Sequence, residues 1–298
     1  MSQSIQSITL QTKSGDKLQA YWFTPEDPLI DTVKGKIVIA SAMGVEQNYY
    51  RPIATWLAEQ GYSVLTFDCR GIGESKSHPL KHYQCDIIDW AQQDYSAALD
   101  FTLKQTEDTV EAKLPVYWVG HSLGGQIFPL VENIQDVTKI ITISAGTGYW
   151  KHNVTNLRKK AFLFWHLIAP ISTALYGYFP GKKLGIIGNL PKKVMSQWRK
   201  WCLHPEYCVG VESELVRRAF MQIKVPLHSI GFSDDEMLSV TNMRDLHCLF
   251  SHQDKRLSEL TPVDIGAKHV GHLGFFKAQF EDSLWPDLLL PELIQPGS

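Results

Sequence analysis

The stretch VGHSLGGQ, residues 119–126, holds one serine between glycines directly after a short apolar run. A serine hydroxyl is a feeble nucleophile at neutral pH. It becomes useful when a base accepts its proton and a third group orients that base. The spacing Gly120-x-Ser122-x-Gly124, set between a β-like run and an amphipathic stretch, predicts a sharp strand-to-helix turn. Bulk at either flanking position would strike the neighbouring strand or helix, hence the glycines. Such a turn lifts the hydroxyl clear of a sheet. It also leaves the Leu123 N–H at a helix start, aimed at whatever the serine attacks, as one donor for an oxyanion.

A base and its orienter belong at the ends of later strands, where loops converge on the site. HVGHLGFF, 269–276, places His272 between Gly271 and Gly274. Its nearest rival is His269, which lacks flanking glycines. His121 directly precedes the serine, so its ring points elsewhere. PLHSIGFSDDEMLS, 226–239, offers Asp234 and Asp235 side by side. Successive side chains diverge on an extended strand tip, so one of the two reaches His272 and the residues alone leave both open.

Short β-branched or aromatic runs at 7–11, 18–23, 36–42, 63–68, 115–120, 139–145, 226–232 and 263–268 read as strands. Amphipathic stretches at 49–60, 84–105, 123–133, 240–250 and 272–283 separate the later ones. The inner runs are nearly continuous in apolar residues, as parallel strands covered on both faces must be. The alternation predicts an α/β fold with a doubly wound, mostly parallel sheet, its first two strands forming an antiparallel edge. Residues 1–146 and 219–298 form its core, and 147–218 an inserted helical cap over the carboxyl edge.

At 298 residues, 44% hydrophobic and with net charge −2, the chain has ordinary globular composition and no basic run suited to nucleic acid. Five scattered cysteines give no disulfide framework, and Cys202-x5-Cys208 around His204 lacks zinc spacing, so no metal is expected. The first residues, MSQSIQSITLQTKSG, show no basic or apolar leader, which points to the cytoplasm.

The insertion is different. Residues 149–218 carry twelve Lys and Arg against three acids, a net +9 that leaves −11 elsewhere. Within it, 161–179 has no formal charge, long enough to be weighed as a membrane span. His166, Pro170 and Gly177 favour a kinked, buried or interfacial helix pair with a break near Ala169. Basic clusters at Arg158-Lys159-Lys160 and Lys182-Lys183 bracket it. That pattern suits either a lid whose apolar face covers an acyl chain and whose basic rim meets the anionic phosphates of a membrane at the periphery or of a head group, or a solvated basic face attracted to the acidic body.

Together GHSLGG (120–125), FDCRGIGES (67–75) and VGHLGFF (270–276) resemble the α/β-hydrolase superfamily. The likeness is to its bacterial branch of monoglyceride-lipase and serine-aminopeptidase-like sequences. It implies a Ser-His-Asp triad with Ser122 and His272. In that branch the later strand starts at Val-Pro and ends in G-x-D-D-x-x-x-P. Laid on Val225-Pro226, this selects Asp235, with Phe232 and Ser239 in place of the glycine and proline. The resemblance also implies a second oxyanion amide in Ser41-Ala42-Met43-Gly44, that of Met43, although the family's His-Gly is missing there. Asp68-x-Arg70-Gly71-x-Gly73-x-Ser75 reads as a structural turn. A serine at the elbow argues against haloalkane or epoxide chemistry, which uses a carboxylate nucleophile on this fold. The expected reaction is hydrolysis of an ester of an acyl or lipid-like small molecule, with no cofactor. Acyl transfer to another acceptor or thioester cleavage would use the same triad, and a catalytically inactive binding protein is the remaining alternative.

Overall fold

The computed structural model describes residues 3–25, 33–105 and 114–294. Eight strands form one sheet: β1 (Gln3–Gln11), β2 (Lys17–Pro25), β3 (Gly35–Ala40), β4 (Tyr62–Phe67), β5 (Val116–His121), β6 (Lys139–Ile143), β7 (Leu227–Phe232) and β8 (Lys255–Leu260). Their order is β1-β2-β4-β3-β5-β6-β7-β8. Strand β2 runs antiparallel to both neighbours, and every pairing from β4 onward is parallel. The expected antiparallel edge and parallel interior are both present.

Central strands are fully buried, and alternation along them feeds two cores. Val38, Leu65, Trp118 and Ile140 face one layer, which contains the helical run Ile87–Lys104 and much of 147–223. Ile37, Val64, Tyr117 and Ile141 face the other, formed by the helix Arg51–Glu59 and the C-terminal turns up to Leu293. The chain between β6 and β7 therefore shares a core with the sheet. Trp165 and Trp201 are buried in it.

Several sequence expectations need correcting, among them 272–283, which holds only the four-residue helix Gly271–Gly274 and a 3₁₀ turn, Ala278–Phe280. Residues 263–268 are not a strand: Val263–Ile265 is a 3₁₀ turn after Pro262, with Val263 86% exposed. The eighth strand is Lys255–Leu260, a polar edge strand whose side chains are largely half-exposed, so it lacks an apolar signature. The stretch 123–133 holds only a short helix, Leu123–Gln126, and a 3₁₀ turn, Phe128–Leu130. There Pro129 cannot donate to a continuing helix. Finally, the helix over 161–179 does not break at Ala169. It runs unbroken through Thr155–Leu163, a π segment Phe164–Ile168 and Ala169–Tyr176. The wider π turn lies just before Pro170, where it accommodates the ring and the missing N–H.

Candidate active site

Four strand ends converge on one place. The loop after β3 carries Met43, the turn after β5 carries Ser122, and the loop after β7 carries Asp234 and Asp235. The segment beyond β8 carries His272. The turn after β5 is strained. Ser122 sits at φ 48°, ψ −109°, outside the regions a non-glycine residue prefers. Its N–H is pinned to Ile143 O at 3.0 Å, and its C=O accepts from Gly125 N at 2.9 Å. The flanking glycines have the steric cause expected of them: a Cβ at Gly120 would lie 2.5 Å from Gly124 O, and one at Gly124 would overlap Ala40 O.

The two aspartates part company. Asp235 and His272 are both buried, and His272 Nδ1 lies 2.8 Å from Asp235 Oδ2. The other Asp235 oxygen accepts from the N–H groups of Met237 and Leu238, each at 2.8 Å. A carboxylate only accepts, so His272 Nδ1–H is the donor to Asp235. Asp234 turns the other way, to Val270 N at 2.7 Å and the exposed His269 at 2.7 Å. Glu236 Oε2 accepts the His272 N–H at 3.0 Å and so fixes the backbone of the imidazole-bearing residue. Ser122 and His272 make no hydrogen bond to each other among the described residues.

The amides of Met43 and Leu123 donate no hydrogen bond among the described residues, whereas their neighbours do: Gly124 N to Ser41 O at 3.2 Å, and Val45 N to Ala42 O at 3.1 Å. An oxyanion calls for two such uncommitted N–H groups. Gly44, at φ +70°, lets the loop run against the backbone of Gly188, and Lys182 pairs with Glu46 at 2.6 Å. The chain between β6 and β7 thus rests on the Met43 loop.

Two residues outside the expected triad tie the site together. His121 is completely buried, and its ring does turn away from Ser122: Nδ1 meets Tyr50 OH at 2.8 Å and Nε2 meets His272 O at 2.9 Å. Tyr50 OH also accepts from Ala42 N at 2.8 Å. The hydroxyl therefore donates to His121 Nδ1, and His121 Nε2–H donates to the His272 carbonyl. Burial, with the nearby His272 adding to it, holds the His121 imidazole well below its ordinary value and keeps it neutral. One relay thus ties together the Met43 loop, the serine turn and the His272 segment. No sequence signal marked Tyr50, which comes from the 3₁₀ turn before the first long helix.

Other chemistry-bearing groups have structural partners. Asp68 accepts from Gln47 N at 2.8 Å and Glu74 N at 3.0 Å, with burial pushing its carboxyl up to about 6, and it holds the turn 67–75 together. Arg70 pairs with the buried Asp94 at 2.5 Å. No group of three or more His, Cys, Asp or Glu among the described residues could hold a metal. A cavity of about 820 Å³ lies at the amino ends of β5, β6 and β7, away from Ser122. Its Glu292 is paired with Lys139 at 2.7 Å and with Arg256.

Residues 31–187 match the family described as Serine aminopeptidase, S33. The protein YfhR of Escherichia coli K12 is 28% identical over 123 residues, 41% of this chain and 39% of that protein. The match thus spans about two fifths of the curated relative. The esterase Pf2001 of Pyrococcus furiosus superposes with a TM-score of 0.56 at 16% identity, covering 95% of this chain and 88% of that one. The hypothetical protein PA2218 of Pseudomonas aeruginosa gives 0.60 at 16% identity, covering 94% and 93%. At those identities the likeness is one of fold, that of the α/β-hydrolases.

Proposed function

Because the chain belongs to the serine aminopeptidase S33 family of α/β-hydrolases, we propose that it is a serine-dependent carboxylic ester hydrolase acting on an acyl or lipid-like small molecule. The observation that carries this reading is the strained Ser122 turn, set at a strand end beside the buried His272–Asp235 pair at 2.8 Å. In this reading His272 Nε2 takes the hydroxyl proton as Ser122 Oγ attacks the ester carbonyl. The carbonyl oxygen becomes an oxyanion held by the Met43 and Leu123 amides. Asp235 stabilises the imidazolium. Collapse breaks the bond to the alcohol oxygen, which leaves with the proton from His272, and an acyl-Ser122 remains. Water then repeats the sequence: His272 removes its proton, the hydroxide adds, and Ser122 regains its hydrogen as the acid departs.

Charge favours an ester over a peptide amino end. Binding a substrate ammonium calls for a carboxylate, yet from Trp150 to Pro205 the chain has ten Lys and Arg and no acidic residue. This segment rests on the Met43 loop, so we read it as a lid over the acyl group. The test is hydrolysis of p-nitrophenyl esters of increasing chain length. Medium and long acyl chains should exceed acetate in kcat/KM, with turnover absent in Ser122→Ala. Faster turnover of acetate would refute the lipid-like substrate, and turnover by Ser122→Ala would refute the serine mechanism.

A further inference from the structure

The helix Thr155–Tyr176 is apolar on its outer face as well as its inner one, unlike a helix whose outer face meets only water. Its inner face is Ala161, Trp165, Ala169 and Thr173, all buried. Its outer face carries Phe162, Leu163, Leu167, Ile171 and Leu175, between 49% and 78% exposed. From Leu163 onward these recur every fourth residue, which keeps them on one side. Scattered exposed leucines are ordinary, but a continuous row on one helix is not. Tyr176, Leu184 and Ile186 extend the exposed apolar surface past its end. The row itself contains no charge, and cations stand at both ends: Arg158, Lys159 and Lys160 before it, Lys182 and Lys183 after it. Lys182 is engaged by Glu46, but Arg158, Lys159, Lys160 and Lys183 form no ion pair among the described residues.

We infer that this face docks on an anionic lipid bilayer, with the apolar row entering the acyl boundary and the basic ends meeting lipid phosphates. Charge selects this occupant. A second copy would bring another +9 segment onto the first, whereas an anionic surface neutralises it. A neutral apolar partner would leave the flanking cations unused. Among the described residues no helix is long and apolar enough to cross a membrane, so the face lies on the bilayer and does not span it. The inference goes beyond the ester-hydrolase reading and does not depend on Ser122.

Co-sedimentation of the full chain with vesicles tests it, comparing pure phosphatidylcholine with a phosphatidylglycerol mixture at low and high salt. Binding to the anionic vesicles should be at least about tenfold stronger at low salt and should fall as salt rises. Leu167→Ser combined with Leu175→Ser should weaken it about tenfold or more, because both side chains leave the apolar boundary. Lys159→Glu with Lys160→Glu should remove the preference for anionic vesicles. Both variants should fold with native circular dichroism, since all four positions are exposed. Ser122→Ala should bind vesicles as wild type does, which separates this inference from the catalytic one. Equal binding to both vesicle types, no binding at low salt, or unchanged binding in the leucine variant would overturn it. So would a dimer that those leucine substitutions convert to monomer.

Discussion

Adjacent aspartates with opposite surroundings make the sharpest residue-level test. Asp235 is buried against His272, while Asp234 serves the loop through Val270 and His269. Ser122→Ala or His272→Ala should lower kcat by about 10⁴- to 10⁶-fold, because triad members act as a unit. Asp235→Asn should cost about 10³- to 10⁴-fold, and Asp234→Asn less than about tenfold. Steady-state kinetics on the four proteins checks the order, and a damaging Asp234→Asn would reassign the orienting acid. His121 gives a pH prediction. Its folded imidazole titrates well below 6.5, so below that pH the unfolded chain binds a proton that the native chain refuses. Its contribution to stability is therefore complete above pH 6.5 and is lost as pH falls beneath it, by at most about 1.4 kcal/mol per pH unit. Urea unfolding followed from pH 7.5 downward should show a shallower loss in His121→Gln than in wild type.

The elements were unevenly legible. Strands β3 to β7 were readable because burial on both faces forces β-branched and aromatic runs. Strand β8 was not, because an edge strand of sequence KRLSEL needs no apolar face to be held by its neighbour. The glycines around Ser122 were readable because backbone crowding leaves no alternative residue. The Tyr50–His121 relay was hidden, since nothing local distinguishes a tyrosine that meets a histidine 71 residues away. The contact between Gly44 and Gly188 was hidden for the same reason, and it supports a prediction at this scale. A Cβ at Gly188 would overlap Gly44 O. Gly188→Ala should displace the Met43 loop and lower kcat by about 10²-fold, the scale of losing one oxyanion donor. Its circular dichroism should stay native. Unchanged kcat would mean that the loop does not present an amide to the reaction.

At the scale of the whole molecule, an acidic α/β body carries a basic segment laid against its Met43 loop. That separation of charge was visible in the order of charges along the chain, and the exposed leucine row beside it was not, because sequence cannot say which face of an apolar helix is turned outward. Hydrolysis is proposed at the junction of the two parts, with Ser122 as the single attacking group. Mass spectrometry of the intact protein after fluorophosphonate treatment, followed by peptide mapping, tests that claim most directly. The account predicts one adduct per chain, located on Ser122, formed at a rate that collapses in His272→Ala and absent from Ser122→Ala. An unlabelled wild-type chain, or an adduct that persists in Ser122→Ala, would contradict it.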